Sequence, residues 1–206
     1  TCETLAKLGI CHNEDDHMPL APDPPGSYEA PVEAAGGDPV VYPHAGDDFE
    51  AMERLLRQAA DDCDLVVSSG STSASAVDVI YRVIEERGEL LLHGVAVKPG
   101  KPMVVGRIDQ SDSDDDETAA EPSDTAQSAY IGLPGYPVSA LTIFRVFVAP
   151  PIRAAAGQPE PATATVDGEL IAQQRHDEGR LRLLSVALIE DADGSPLVYP
   201  VDKGSG

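Results

Sequence analysis

The sequence holds no stretch approaching the roughly 18 uninterrupted apolar residues that a membrane-crossing helix needs. Its first residues, Thr1 to Lys7, lack both the basic patch and the apolar run of a secretory signal. Cysteine is scarce. Cys2, Cys11 and Cys63 are an odd set without metal-ligand spacing, so neither a disulfide framework nor a cysteine metal site is expected. Cys63, just ahead of an apolar run, reads as a small core residue rather than a nucleophile. Positive charge is scarcer relative to its opposite: 14 Lys+Arg face 36 Asp+Glu, for a net charge of −22. Such a chain repels nucleic acid and anionic membrane, and neither is an expected partner. No Met opens the chain, which reads as processed or cut at its start. A cytoplasmic protein is the simplest expectation.

What is present suffices for one domain with a core and part of a second: 206 residues, 42% of them hydrophobic. The acids are spread along the chain, and arginines outnumber lysines ten to four. This resembles the composition of proteins from high-salt cytoplasm, where repulsion is screened within about 3 Å at 1 M salt; an ordinary acidic mesophilic protein is the alternative.

Residues 1–30 read as a poorly ordered or non-matching segment. Thr4–Leu8 resembles a helix end stopped by Gly9, and Ala21-Pro-Asp-Pro-Pro-Gly26 is full of breakers. His12 and His17, with Asp15 and Asp16 between, invite a metal-site reading that a solvated loop outweighs. From residue 31 the pattern is regular. Val32–Ala35 ends a helix at Gly36-Gly37, and Pro39–Tyr42 is a strand. Asp47 and Asp48 then open a helix along Phe49, Met52, Leu55, Leu56 and Ala59. Asp64–Val67 is a strand and Val77, Ile80, Tyr81 and Ile84 mark a helix. Leu90–His93, Met103–Gly106 and Ala129–Leu133 are strands, and Pro137 sits in the first turn of a helix that ends before Gly157. Residues 109–127, with eight carboxylates and no Lys or Arg, read as a disordered acidic insert. The alternation predicts an α/β domain over 31–157, three layers about a mostly parallel sheet. After Pro159, Ala162–Leu170, Leu181–Ile189 and Leu197–Val201 read as strands of an all-β domain, 158–206, too short to close and so truncated.

Three loops stand where parallel sheets bind ligands, beyond the carboxyl ends of strands. The first, Ser69, Gly70, Ser71, Thr72 and Ser73 running to Ser75, offers backbone amides to an anion at a helix start, though Ser/Gly turns are also ordinary caps. The second, Lys98-Pro99-Gly100-Lys101-Pro102, is more specific. It holds two of the chain's four lysines about a Pro-Gly turn, so both ammonium groups are placed to meet one oxyanion. The third, Pro134-Gly135-Tyr136-Pro137, leads to Ser139 on the first helical turn. Asp78, near the start of its helix, either complements the helix dipole or holds a divalent metal.

Asp64-Leu-Val-Val-Ser-Ser-Gly70 with Ser73 and Asp78, Gly94-Val-Ala-Val-Lys-Pro-Gly-Lys-Pro102, and Gly132-Leu-Pro-Gly135 with Pro137-Val-Ser-Ala140 together resemble the MoeA family of molybdopterin molybdotransferases. The resemblance implies a MoaB/Mog-like molybdopterin-binding fold. It also implies insertion of molybdate into adenylated molybdopterin with release of AMP, assisted by Mg²⁺. Lys98, Lys101 and Ser139 would then hold molybdate, Ser69 to Ser73 the phosphate side, and Asp78 the metal. The intact family member is expected to be a homodimer through a domain that this chain lacks. The family reads Gly-Gly at Gly70-Ser71, Gly at Ser75 and Asn at Tyr136. These departures keep open a non-catalytic molybdopterin- or molybdate-binding module or an inactive fragment. A further alternative is the related molybdopterin adenylyltransferase, which shares the sheet and against which the β segment argues.

Overall fold

The computed structural model describes residues 7–12, 29–43, 48–69, 74–110, 126–172 and 179–201, with side chains left aside at 7–12, 49 and 74–79. Strand β1 (Lys7–His12) is followed by helix α1 (Glu29–Ala34). The helix stops where Gly36 takes φ +88°, its N–H bonding the Glu33 carbonyl at 2.8 Å and that of Gly37 the Val32 carbonyl at 3.0 Å. A left-handed residue is needed there, and glycine supplies it without a Cβ clash. After β2 (Asp38–Tyr42), the Asp48 carboxylate accepts from the Ala51 amide at 3.1 Å and caps α2 (Phe49–Asp62). The order continues through β3 (Leu65–Ser69), α3 (Ala74–Arg87), β4 (Gly88–His93), β5 (Val97–Lys98), β6 (Val104–Asp109) and β7 (Gln127–Leu133).

Helix α4 (Pro137–Ile143) runs through a π-helical turn, Phe144–Val148, into α5 (Ala149–Ala155). Pro150 and Pro151 lack the amides that would close the ordinary ladder, and the wider turn sits just before them. By length and apolarity alone this helix would suffice to cross a membrane. Here Ala140, Ile143, Phe144, Val148 and Ile152 are buried against the sheet, as in a core helix.

Six strands form one sheet in the order β2-β1-β3-β7-β6-β4. The first four are parallel and β6 is antiparallel to both of its neighbours. Alternation along the central strands builds two cores. Val67 and Ile131 face α1 and the Pro137–Ala155 helix, whereas Val66 and Tyr130 face α2 and α3 with Leu56, Ile80 and Ile84. This is the three-layer α/β/α arrangement expected of the sequence.

Several expectations are corrected. Lys7 and Leu8, expected in a helix end at Thr4–Leu8, stand in a strand, and residues 4–6 lie outside the described residues. Lys7–His12 is the strand between β2 and β3, so the assignment of 1–30 to a segment outside the fold does not hold there. Its pattern is too short and too flanked by breakers to announce a strand, and only sheet neighbours make it one. Asp109 and Gln127, taken as ends of the insert, are a paired rung of the β6–β7 ladder, and residues 111–125 lie outside the described residues. The stretch read as the strand Ala162–Leu170 pairs as a strand only at β8 (Glu169–Leu170), and Leu181–Ile189 divides into β9 (Leu181–Arg182) and β10 (Val186–Glu190). Strand β11 (Pro196–Pro200) pairs antiparallel with β10 across the Asp191–Gly194 turn and parallel with β8. The expected loop at Val97–Pro102 begins with a strand. β5 pairs parallel with β9, the Leu181 amide bonding the Ala96 carbonyl and the Leu183 amide the Lys98 carbonyl, both at 2.8 Å.

Candidate functional site

The sheet brings the singled-out loops to one edge. In register Ser69 stands beside Leu133, Gly132 beside Val104, and Val104 beside His93. The end of β3, the turn after β7 and the β4–β6 connection therefore share the carboxyl edge of the parallel strands, where open α/β sheets bind ligands.

A cleft of about 550 Å³ opens there, within the size range of small-molecule sites. One wall is the lysine loop, Lys98 through Pro102 with Val97 behind it; the other is Pro134, Gly135, Tyr136 and Ser139. Gly100 has φ +120°, and a Cβ on it would run into the Ile143 side chain, so the loop packs on α4 only because this residue is glycine. The Lys98–Pro99 peptide is cis. Lys101 is exposed and Lys98 half-buried, while Ser139 is buried at the first turn of α4.

The sequence reading missed Arg180, which lines the same cleft. It precedes β9, and the β5–β9 ladder carries it to the lysine loop. The three cations of the cleft thus come from two parts of the chain far apart in sequence. Among the described residues neither Lys101 nor Arg180 is in an ion pair with a carboxylate. A usable signal was Arg180 following Gly179, but a lone arginine in a polar stretch does not declare its partner.

Of the other candidates, Ser69 is buried at the end of β3, next in register to the third loop but outside the lining of the cleft. Gly70, Ser71, Thr72 and Ser73 lie outside the described residues, as do Asp15, Asp16 and His17. Asp78 falls in the second turn of α3, its side chain not described. Among the described residues no group of three or more His, Cys, Asp or Glu side chains is arranged to hold a metal ion. Cys63 is buried and unbonded to another cysteine, as its sequence context suggested.

The structure so far defines an α/β domain with a cation-lined cleft at the carboxyl edge of its sheet. Comparison narrows the class. The family described as "Probable molybdopterin binding domain" matches residues 29–154, and the chain belongs to this family, within its MoeA-like branch. Molybdopterin molybdenumtransferase 2 of Mycobacterium tuberculosis (strain ATCC 25618 / H37Rv) is 33% identical over 178 residues, covering 82% of this chain and 39% of that protein. Molybdopterin molybdenumtransferase of Haemophilus influenzae is 31% identical over 112 residues, covering 54% of this chain and 24% of that protein. The chain thus spans about two-fifths of the length of the first of these relatives. Among solved structures, the molybdopterin biosynthesis moea protein from Pyrococcus horikosii superposes with a TM-score of 0.63 at 28% identity, covering 98% of this chain and 46% of that one.

Proposed function

We propose that this chain works in molybdenum cofactor biosynthesis, inserting molybdate into adenylated molybdopterin with release of AMP. The observation that carries the reading is the meeting of Lys98, Lys101 and Arg180 in one cleft of a chain whose net charge is −22. Family membership and the activity named for the relatives support it.

In this reading Lys98, Lys101 and Arg180 bind molybdate, and Ser139 completes the site with its hydroxyl. Arginine and lysine act differently there: the guanidinium fixes orientation through its planar fork, whereas the ammonium groups supply compact charge. Pro134–Gly135 and Ser69–Ser73 border the pterin phosphate side. The protein forms no covalent bond to either reactant. It holds two anions that would repel each other in water and offsets the charge that develops between them.

Mg²⁺ and its contact to Asp78 belong to this proposal on sequence position alone; the bound ion would supply positive charge beside the two anions. A homodimer of the longer family protein and action in the cytoplasm are likewise part of it.

The test is AMP release from adenylated molybdopterin in the presence of molybdate and Mg²⁺. Molybdate-dependent release that falls at least tenfold in Lys101→Ala is expected. No release, with molybdate still bound, would leave the binding-module reading in its place.

A further inference from the structure

We infer that Tyr136 is a recognition residue that stacks on a planar ring carried by the oxyanion ligand of this cleft. The inference rests on the anion-binding reading of the cleft and adds a second determinant to it.

The first observation is positional. Tyr136 is the N-cap of α4, with φ −74° and ψ 120°, and no side chain caps the helix. Ser, Thr, Asp and Asn are strongly preferred at such positions because their oxygens accept from the first free amides. Tyrosine has no acceptor that reaches back, so this helix start forgoes its side-chain cap. The second is exposure. The side chain is 42% exposed, yet it lines the cleft rather than lying away from it. Aromatic residues make up only 4% of the chain, so a half-exposed ring at a cationic site is a costly use of a scarce residue type.

The third is the composition of the cleft. About 550 Å³ exceeds what a bare four-oxygen anion fills, and beside its cations it is walled by Pro99, Pro102 and Pro134. Flat, rigid apolar surfaces next to positive charge suit a ligand that is part ring and part oxyanion. A ring on the Tyr136 face leaves the phosphate or molybdate end within the charged part. The shared chemistry is a phosphorylated aromatic heterocycle, either a purine nucleotide or a pterin phosphate.

Calorimetric titration of the 206-residue chain tests this with four probes: AMP, a phosphorylated pterin, ribose 5-phosphate and molybdate. Tyr136→Asn is expected to weaken binding of a ring-bearing probe roughly tenfold, the usual scale of base–aromatic stacking. Whichever of AMP and the pterin loses affinity identifies the ring. Molybdate and ribose 5-phosphate are expected to stay within about twofold, and Tyr136→Phe to bind as the parent chain does. Because Asn restores a cap, the same variant is expected to melt about 2–4 °C higher, so lost affinity cannot be lost folding. Equal losses for molybdate and the ring-bearing probes overturn the inference. So does an unaltered affinity for both rings, or a parent chain that binds neither better than ribose 5-phosphate. If molybdate fails to bind while ring affinity still depends on Tyr136, the molybdate reading falls and the stacking role stands.

Discussion

Lys98 and Lys101 show how much a single side chain is asked to do in so acidic a molecule. A charge-assisted hydrogen bond contributes roughly 1.5–3 kcal/mol, so Lys101→Ala is expected to weaken molybdate binding about ten- to a hundredfold. Lys101 is exposed, and the same change should hardly move the melting temperature. Titration of molybdate into Lys101→Ala and the Lys98→Ala/Lys101→Ala pair checks this, and unchanged affinity would remove the site. A second residue is titratable for structural reasons. Burial pushes the Tyr42 hydroxyl well above the ordinary tyrosine range, and its bonds to the Asp62 carboxylate at 2.9 Å and to the Cys63 sulfur add to the shift. The folded chain therefore favours the protonated phenol. Its contribution is fully present below the unfolded value of about 10 and is lost as pH rises beyond it. Tyr42→Phe is expected to cost about 1 kcal/mol at neutral pH and to flatten the loss of stability above pH 10. Urea midpoints against pH measure both. Tyr81, raised by burial, keeps some slope in the variant.

At the scale of elements, the helices and central strands were legible because each buries one continuous apolar face. Leu56, Ala59 and Ala60 along α2 and Val66 and Val67 in β3 state their own surroundings. The edge shared by the lysine and Pro-Gly-Tyr turns followed from strand order alone. What was not legible depends on partners distant in sequence. Lys7–His12 is a strand only because β2 and β3 flank it, and the antiparallel direction of β6 shows only in its pairing with β4 and β7. Arg180 reaches the cleft only through the two-rung β5–β9 ladder. That ladder yields a test. Leu181→Pro removes the amide that bonds the Ala96 carbonyl. It should lower molybdate affinity several-fold while the six-stranded sheet, followed by far-ultraviolet circular dichroism, keeps its cooperative transition. Unchanged affinity would mean that Arg180 is held in place without the ladder.

For the whole molecule the governing quantity is the net charge of −22. Two electrostatic effects with opposite salt dependence compete. Between α2 and α3, Glu53, Arg57, Arg82 and Glu86 form a ring with contacts of 2.6, 3.1, 3.0 and 3.9 Å, and the hydrogen bond from Arg57 lowers the Glu53 carboxyl below its ordinary range. These groups meet water, so each pair contributes little and salt weakens it. Repulsion among the carboxylates left without a cation acts over the entire surface and opposes compaction. At 1 M salt the screening length is about 3 Å. That is shorter than the spacing of most surface charges but comparable to the contacts in the ring. Screening therefore removes much of the repulsion and only part of the attraction. The expected result is a urea midpoint that rises from low to molar KCl, urea being chosen because guanidinium would itself screen. Glu53→Gln should lower the urea midpoint slightly in low salt and leave it unchanged in molar KCl. A midpoint that stays level or falls with KCl would show that local pairing, rather than net repulsion, sets the stability of this acidic chain.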